Sequence, residues 1–328
     1  MNLSKIADDN KILEIRVGSH LYGTNTPSSD LDYAGVFLPI KEIVFGFQKV
    51  EEVDLSIKDK TEAGKNTPNA VDRKLYEFRK FVKLAMENNP NIIEQLFVNA
   101  PNIVYINDAG RALLAERHKF PHLGLVQKFK GYAFSQKHKM VIRSDNFHEL
   151  DNAFNYLKDY PEQKELLIEL RDKYLPFIKY TRDYCVIGDL NLQKGIYVKK
   201  AVNMIEERLS KVGNRKSLIT KYGFDTKFAS NLIRLLLEGK ELISDGEIKF
   251  PLSYKDTVLA IKQGQWTIKE VLDYADELEA EIDRAAEKSA LPKKPRFDEI
   301  EKFTINLLEE HLRVRKFLAW SPRFILGA

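Results

Sequence analysis

Alternating apolar and polar positions in the first hundred residues predict short β-strands followed by a helix. The runs ILEIRV and DYAGVFL are rich in β-forming residues, and turn residues separate them. Past Val71, the apolar side chains of YEFRKFVKLAMENNP recur near helical spacing, and the helix is expected to stop at Asn88-Asn89-Pro90. Residues 54–69 are polar and contain Gly64 and Pro68, a composition typical of an exposed loop.

From about residue 107 onward the strand signals nearly vanish, and amphipathic helical segments follow one another. Asp225 stands where a helix N-cap is expected, and Thr267 with Glu270 forms the pattern of a capping box. The fold class expected is α+β (mixed α/β), with a sheet domain over residues 1–106 and a mostly helical domain over residues 107–328. The predicted helices of the second domain cover 107–117, 122–142, 147–158, 195–210, 226–243, 267–288 and 297–317.

Composition narrows the classes of protein without choosing one. The chain is 44% hydrophobic and 30% charged, which indicates a folded protein, and it has no apolar run long enough for a membrane span. We therefore expect a soluble, cytoplasmic protein with no membrane partner. A net charge of +4 permits a polyanionic partner without requiring one. The single cysteine, Cys185, has apolar neighbours and is expected to be a small buried residue.

The segment IRVGSHLYGTNTPSSDLDYAGVF carries the candidate chemistry. Gly18-Ser19 follows an apolar strand, and Asp30-Leu31-Asp32 opens the next one. Residues two apart on a strand share a face, so we expect Asp30 and Asp32 to project together while Leu31 points to the core. Paired carboxylates repel each other unless a cation lies between them, which indicates a site for Mg²⁺ or Mn²⁺.

The Gly-Ser turn suits the second half of such a site. Gly18 lets the backbone approach a ligand closely, and the Ser19 hydroxyl with nearby N–H groups can hold phosphate oxygens. Metal-bridged carboxylates beside a phosphate-binding turn are typical of reactions of nucleoside triphosphates. We therefore predict a nucleoside triphosphate as substrate, with Gly18 and Ser19 in contact with it.

This segment resembles the signature of the DNA polymerase beta nucleotidyltransferase superfamily. More narrowly, GSHLYGTNTPSSDLDYAGVFLP is similar to a bacterial and phage branch of that superfamily, some members of which are encoded near RNA ligases. The stretches VDRKLYEFRKFVKLAMENNPNIIEQLF, KFKGYAFSQKHK, KYGFDTKFASNLIRLLLEGKEL and AIKQGQWTIKEV extend the likeness over most of residues 12–280. The resemblance implies a small polymerase-beta-like catalytic sheet domain in residues 1–106 and an acceptor-binding helical domain in residues 107–328.

The resemblance also implies a third metal carboxylate from a later strand. Asp72, at the start of VDRKLY, matches that pattern, and VDRKLY can begin as a strand. Asp54 in EEVDLSI is the rival, although it opens a polar loop in which acidic residues are ordinary. The predicted catalytic and metal-binding set is therefore Asp30, Asp32 and Asp72.

Basic residues of the second domain are candidates for substrate binding. The branch contains a Lys-Tyr-Gly-x-Asp-x-Lys motif, which this chain matches from Lys221 to Lys227, and the resemblance implies a nucleotide-binding role for both lysines. Lys227 and Arg234 are seven residues apart and are expected on one side of a helix, where they could receive phosphates or simply coat the surface.

KFKGYAFSQKHK combines basic and aromatic residues in the way that single-stranded nucleic acid is bound, although an ordinary amphipathic helix has the same composition. The candidate nucleic-acid-binding residues there are Lys128, Lys130, Tyr132, Gln136 and Lys137.

The function implied is a metal-dependent transfer of a nucleoside monophosphate from a triphosphate to an acceptor hydroxyl, with release of pyrophosphate. An RNA, either a tRNA or a broken RNA end under repair, is the favoured acceptor. Two alternatives stay open: nucleotidylation of a protein or small molecule, and a nucleotide-binding or RNA-binding module without catalysis.

Overall fold

A computed structural model of the chain describes residues 1–27, 29–59, 70–211 and 215–319. Ser28 and most of the predicted polar loop, residues 60–69, lie outside the described residues. The described parts combine helices with a mixed sheet, so the chain has the α+β class that the sequence predicts.

A five-stranded mixed sheet lies at the N-terminal end of the sequence. Its strands run in the order β3-β4-β2-β1-β5, and β2 is antiparallel to β1 but parallel to β4. Apolar residues of β1 and β2, among them Leu13, Ile15 and Val36, are fully buried, which explains why these segments read as strands from their sequence. The strands are β1 (Lys11–Val17), β2 (Leu31–Phe37), β3 (Glu52–Asp54), β4 (Val71–Glu77) and β5 (Ile103–Ile106).

Helices make up most of the remaining described chain. They are α1 (Leu3–Asp9), α2 (Ser19–Tyr22), α3 (Lys41–Phe45), α4 (Phe78–Met86), α5 (Pro90–Leu96), α6 (Asp108–Ala115), α7 (Leu125–Leu157), α8 (Val198–Ser210), α9 (Arg215–Tyr222), α10 (Thr226–Asp245), α11 (Lys255–Lys262), α12 (Ile268–Lys288) and α13 (Phe297–Ala319). Short 3₁₀ helices cover Ala100–Asn102, Arg117–Lys119 and Leu167–Lys173. None of these described helices is long and apolar enough to cross a membrane.

The predicted helix caps are confirmed. The carboxylate of Asp225 accepts hydrogen bonds from the N–H groups of Lys227 and Phe228 at 3.1 and 3.2 Å, which begins α10. Glu270 accepts a bond from the Thr267 N–H at 2.7 Å, while the Thr267 hydroxyl accepts one from the Glu270 N–H at 3.2 Å. These contacts satisfy N–H groups that the first turn of a helix leaves unpaired.

Helix α7 is longer than its sequence predicts. Two helices were expected, over 122–142 and 147–158, whereas one continuous helix runs from Leu125 to Leu157. The polar Ser144 is accommodated because its hydroxyl donates to the Met140 carbonyl at 2.7 Å, and Phe147 is buried in a hydrophobic cluster. Tertiary packing therefore overrides the local break in the apolar pattern.

The chain forms two compact units, and neither is a continuous segment. Unit 1 comprises residues 1–132, 235–258 and 277 onward, and unit 2 comprises residues 133–234 and 259–276. The five-stranded sheet belongs to unit 1. The division at residue 106 into a catalytic and an acceptor-binding domain stays a prediction about function.

Unit 2 contains a three-stranded sheet that the strand signals did not predict. Its strands are β6 (Lys179–Tyr180), β7 (Tyr184–Ile187) and β8 (Leu190–Gln193), paired in sequence order. The two-residue turn Gly188-Asp189 joins β7 to β8, and Gly188 has a φ of 56°, which favours glycine. Cys185 is buried and unpaired in β7, as predicted, and burial raises the pKa of its thiol.

Candidate active site

Two of the predicted carboxylates lie side by side on the sheet of unit 1. Asp32 on β2 is the register partner of Asp72 on β4, and these strands are parallel. Neighbouring strands are about 4.8 Å apart, and register partners point to the same face. Asp32 is half-buried and Asp72 is exposed. The sheet therefore presents a pair of carboxylates at the end where both strands begin.

The residue after Asp72 is tied to the opposite face of the sheet. Arg73 donates from Nε and Nη2 to the carboxylate of Glu14 on β1, and from Nη2 to Asp8 at 2.6 Å. Burial alone would raise the pKa of Glu14, but the hydrogen bonds from Arg73 and Lys11 leave it lowered. The pKa of Arg73 is raised, chiefly by its hydrogen bond with Glu14. Because adjacent residues alternate between faces, this network holds Asp72 on the face of Asp32.

Asp30 and Leu31 lie differently from the sequence expectation. Asp30 is exposed and precedes β2, which begins at Leu31. Leu31 was expected in the core, but 39% of its surface is exposed. The buried residues of β2 begin only at Ala34, so the first residues of the strand lie outside the core and Leu31 stays exposed. Asp30 remains two residues from Asp32, at the same end of the strand.

Gly18 brings the backbone against one of these carboxylates. It follows Val17, the register partner of Asp32, and has a φ of 65°. A Cβ atom at Gly18 would lie 3.0 Å from the Oδ2 atom of Asp32. Both the conformation and the close approach require glycine.

Ser19 and the residue after it complete this turn. Ser19 is the first residue of the one-turn helix α2, so its hydroxyl lies at the end of the strand that pairs with β2. His20 follows, and its Nε2 atom is buried with no hydrogen-bond partner in the described parts of the chain. A buried polar atom without a partner is one that a bound group could satisfy. From the sequence alone His20 was expected to be a surface or cap residue, whereas its Nε2 atom is buried beside the Gly18-Ser19 turn.

The rival carboxylate, Asp54, lies on a different part of the sheet. It ends the edge strand β3, which β4 separates from β2, and its register partner is Lys74. Hydrogen bonds from Ser56 lower the pKa of Asp54. The strand order therefore favours Asp72 over Asp54 as the neighbour of Asp32.

The donor atoms at the Asp32–Asp72 pair suit a hard divalent cation. Carboxylate oxygens are the ligands that Mg²⁺ uses in protein sites, and two carboxylates on one face repel each other without a cation. Within the described ranges, no three His, Cys, Asp or Glu side chains are grouped to hold a metal ion together. The fit therefore depends on the pair, with Asp30 as the nearest additional carboxylate in the sequence.

The two lysines of the predicted nucleotide motif are exposed in unit 2. The Nζ atom of Lys221 lies 4.8 Å from the ring centroid of Tyr222. Lys227 is in the first turn of α10, and burial together with the positive charge of Lys227 lowers the pKa of Lys262. No local sequence pattern marks Lys262, because it lies one helix later in the chain. Lys262 therefore lies near enough to Lys227 for the two positive charges to repel each other.

Arg234 does not join this cationic surface. It is only 6% exposed, whereas Lys227 on the same helix is exposed. Seven residues bring two side chains to the same side of a helix, as predicted, but packing covers this side of α10 farther along. The two side chains therefore do not share an exposed surface.

The candidate nucleic-acid-binding residues of α7 mostly have partners within their own unit. In unit 1, Lys128 lies 3.7 Å from a Glu87 oxygen, Lys130 binds Asp283 at 2.9 Å, and the Tyr132 hydroxyl accepts from Asn89 at 2.9 Å. In unit 2, Lys137 binds Asp276 at 2.7 Å, and Gln136 is partly exposed. Ion pairing lowers the net positive charge that this segment presents to a polyanion.

Comparison with known proteins places the chain in a family. The sequence model of RlaP, described as the RNA repair pathway DNA polymerase beta family, matches residues 2–316. The chain belongs to this family. It is accordingly a nucleotidyltransferase, which confirms the resemblance drawn from its first motif.

Two individual comparisons accompany this match. An uncharacterized 38.9 kDa protein from the nrdC-mobD intergenic region of enterobacteria phage T4 is 24% identical over 301 residues, covering 83% of this chain and 88% of the phage protein. A crystal structure of a nucleotidyltransferase-like protein from Exiguobacterium sibiricum aligns with 94% of this chain and 72% of that one, at 11% identity and a TM-score of 0.26. The assignment to the family rests on the RlaP sequence model, which matches nearly the whole chain.

Proposed function

We propose that this chain transfers a nucleoside monophosphate from a nucleoside triphosphate to a hydroxyl group of RNA, with Mg²⁺ or Mn²⁺ bound by Asp30, Asp32 and Asp72. The observation that carries the proposal is the register pairing of Asp32 with Asp72 beside the glycine turn at Gly18.

The reaction requires one bond to form and one to break at the α-phosphorus. The acceptor oxygen bonds to the α-phosphorus, the bond from the α-phosphorus to the β-bridging oxygen breaks, and pyrophosphate leaves. Asp72 is the more exposed carboxylate of the pair, and in this proposal it takes the proton of the attacking hydroxyl. A bound divalent cation would neutralise charge on the phosphates.

Residues near the carboxylates would hold the donor. The Gly18 backbone can approach a phosphate group because it carries no side chain, and the Ser19 hydroxyl can donate to a phosphate oxygen. Separately, the likeness to the family motif implies a nucleotide-binding role for Lys221 and Lys227 of unit 2, whose ammonium groups are exposed. Each of these residues stands at a position of a family motif in this chain.

RNA is the acceptor that the family description favours, since it names an RNA repair pathway. The experiment is incubation of the purified chain with each of the four α-³²P-labelled ribonucleoside triphosphates, total RNA and Mg²⁺ or Mn²⁺. We expect label in RNA that nuclease removes and chelator prevents. Label that remains on protein after nuclease treatment would identify a protein acceptor, and absence of transfer to RNA would overturn the RNA assignment.

A further inference from the structure

Unit 2 contains a cavity of about 160 Å³ that the proposed site does not use. We call it the unit 2 cleft. It lies between α7, the end of α8, the β7–β8 turn and the start of α10. Among the described residues, the polar ones that line it are Arg143, Asn146, Asp189, Arg208, Lys211 and Asp225. At about 30 Å³ for each water molecule, it has room for roughly five waters or for one phosphate group with part of its hydration shell.

The acidic residues of the unit 2 cleft already have partners. Both carboxylate oxygens of Asp189 accept from Nε of Arg208 at 3.1 Å. The carboxylate of Asp225 accepts from two N–H groups at the start of α10. These hydrogen bonds occupy both carboxylates, and neither of them forms an ion pair with Arg143.

Arg143 differs from the other charged residues of the unit 2 cleft in its contacts. It is exposed in the cleft, although it lies on the side of α7 that elsewhere packs in the core, between Met140 and Phe147. No carboxylate in the described part of the chain forms an ion pair with it. Its guanidinium carbon is 4.9 Å from the ring centroid of Phe228, and this contact orients the group without using its N–H donors.

The chemistry of the cleft thus fits a phosphate oxygen ligand. A stacked guanidinium offers a planar set of donors that matches phosphate. The Asn146 amide lies about one helical turn farther along the same cleft wall and can add a neutral donor. Lys211 at the rim is bound to Glu207 at 2.6 Å, and Arg208 to Asp189, so Arg143 is the cation among the described lining residues that has no ion pair.

We infer that the unit 2 cleft binds a backbone phosphate of the RNA acceptor through Arg143 and Asn146. The inference rests on the proposed function in its choice of RNA as acceptor. Nothing in the reaction at the carboxylates requires Arg143, so its loss should weaken acceptor binding and leave the use of triphosphate intact.

The test compares three variants of the full chain. Arg143→Met removes the charge while keeping a long side chain over Phe228, and Arg143→Lys keeps the charge without the planar donor set. Lys158→Ala is the matched control. Lys158 directly follows the last residue of α7, and its Nζ atom lies 5.5 Å from the ring centroid of Phe154, so it too is a cation over an aromatic ring. Thermal melting of each variant establishes that it is folded.

Binding of a fluorescein-labelled single-stranded RNA is measured by anisotropy over a range of salt, without triphosphate. We expect Arg143→Met to weaken binding about tenfold and to make the slope of log K against log salt shallower by about 0.7, as for one lost phosphate contact. Arg143→Lys should recover part of the affinity, and Lys158→Ala should match the wild type. Unchanged affinity in a folded Arg143→Met variant would overturn the inference.

Two further measurements are needed. The first tells whether the phosphate bound in the cleft belongs to RNA or to the triphosphate, and the second separates this inference from the proposed function. If free triphosphate displaces the RNA from the wild type but not from Arg143→Met, the cleft binds the donor and the acceptor assignment is wrong. In the transfer assay, the KM for RNA should rise in Arg143→Met with the KM for triphosphate unchanged. RNA binding that depends on Arg143, without any transfer of label, would instead contradict the proposed function and still support RNA binding by the unit 2 cleft.

Discussion

Asp72 is the register partner of Asp32 across two neighbouring parallel strands. The two residues are far apart in the sequence, and an excursion through α3 and the edge strand β3 separates them. The order β3-β4-β2 brings the later carboxylate inward to its partner and leaves Asp54 at the edge. The candidate metal site is thus a property of the sheet topology.

Metal binding should depend on this pair. Asp32→Asn keeps the shape of the side chain but removes its charge, so we expect at least tenfold weaker binding of Mn²⁺. Titration followed by electron paramagnetic resonance of free Mn²⁺ measures the affinity. Asp108→Asn, at a side chain that is 99% exposed, serves as the control. Equal Mn²⁺ affinity in Asp32→Asn and the wild type would exclude Asp32 as a ligand.

Substitution of Gly18 should impair activity more than it impairs folding. In Gly18→Ala, the new Cβ would lie 3.0 Å from Asp32 Oδ2 at a φ of 65°, so either the backbone or the carboxylate must shift. We expect a stability loss of about 1 to 2 kcal/mol from the left-handed conformation, with a larger relative loss of transfer activity. Gly195→Ala, where no atom lies within 4 Å of a new Cβ, is the control. Full activity in Gly18→Ala would show that the close approach is unimportant.

The network on the opposite face predicts a dependence of stability on pH. The folded-state pKa of Glu14 is lowered, so the carboxylate stabilises the fold above its unfolded pKa near 4.5 and loses this effect as the pH falls through the lower folded value. Glu14→Gln should cost about 3 kcal/mol at neutral pH, because Arg73 loses a partner that is only 6% exposed.

The difference in unfolding free energy between the wild type and Glu14→Gln should shrink as the pH falls below 4.5. Urea denaturation at a series of pH values measures it. Glu310→Gln, at an exposed position of α13, should change neither stability nor its pH profile. A difference that stays constant through the acid range would contradict the charge-based account of Glu14.

Lys227 should contribute to binding of the triphosphate. Removal of its exposed charge in Lys227→Ala is expected to raise the KM for triphosphate about tenfold, as for one lost charge-assisted hydrogen bond. The same change should raise the pKa of Lys262, since Lys227 helps to lower it. Steady-state kinetics measure the first effect, and NMR of ¹³C-labelled lysine measures the second. Lys200→Ala, at an exposed position of α8, is the control; equal KM values in the two variants would exclude Lys227.

Local patterns in the sequence predicted much of the fold. The strands β1 and β2, the long helices of residues 198–319 and their caps at Asp225 and Thr267 follow from apolar spacing and side-chain hydrogen bonds close in the chain. The β7–β8 hairpin was missed because its strands are four residues long, although Gly188-Asp189 between apolar residues is a hairpin signal. The continuity of α7 depends on tertiary burial of Phe147, which periodicity alone does not reveal.

The residues of the candidate site could be predicted from local sequence patterns only in part. Gly18, Ser19, Asp30 and Asp32 form one short motif, whereas the choice of Asp72 over Asp54 came from a family likeness. Strand order decides which carboxylate is next to Asp32, and strand order depends on contacts far apart in the sequence. Arg143 has no local sequence signal for the same reason, since its lack of an ion pair depends on the partners of residues such as Asp189, whose carboxylate binds Arg208 of α8.

The most direct test compares transfer of labelled nucleotide to RNA by Asp72→Asn and Asp54→Asn. Each variant removes one negative charge from a neighbouring strand of the same sheet, and circular dichroism establishes that both are folded. We predict that Asp72→Asn lowers the transfer rate by on the order of a hundredfold or more, while Asp54→Asn stays near the wild-type rate. Wild-type activity in a folded Asp72→Asn variant would contradict the assignment of the Asp32–Asp72 pair as the catalytic centre.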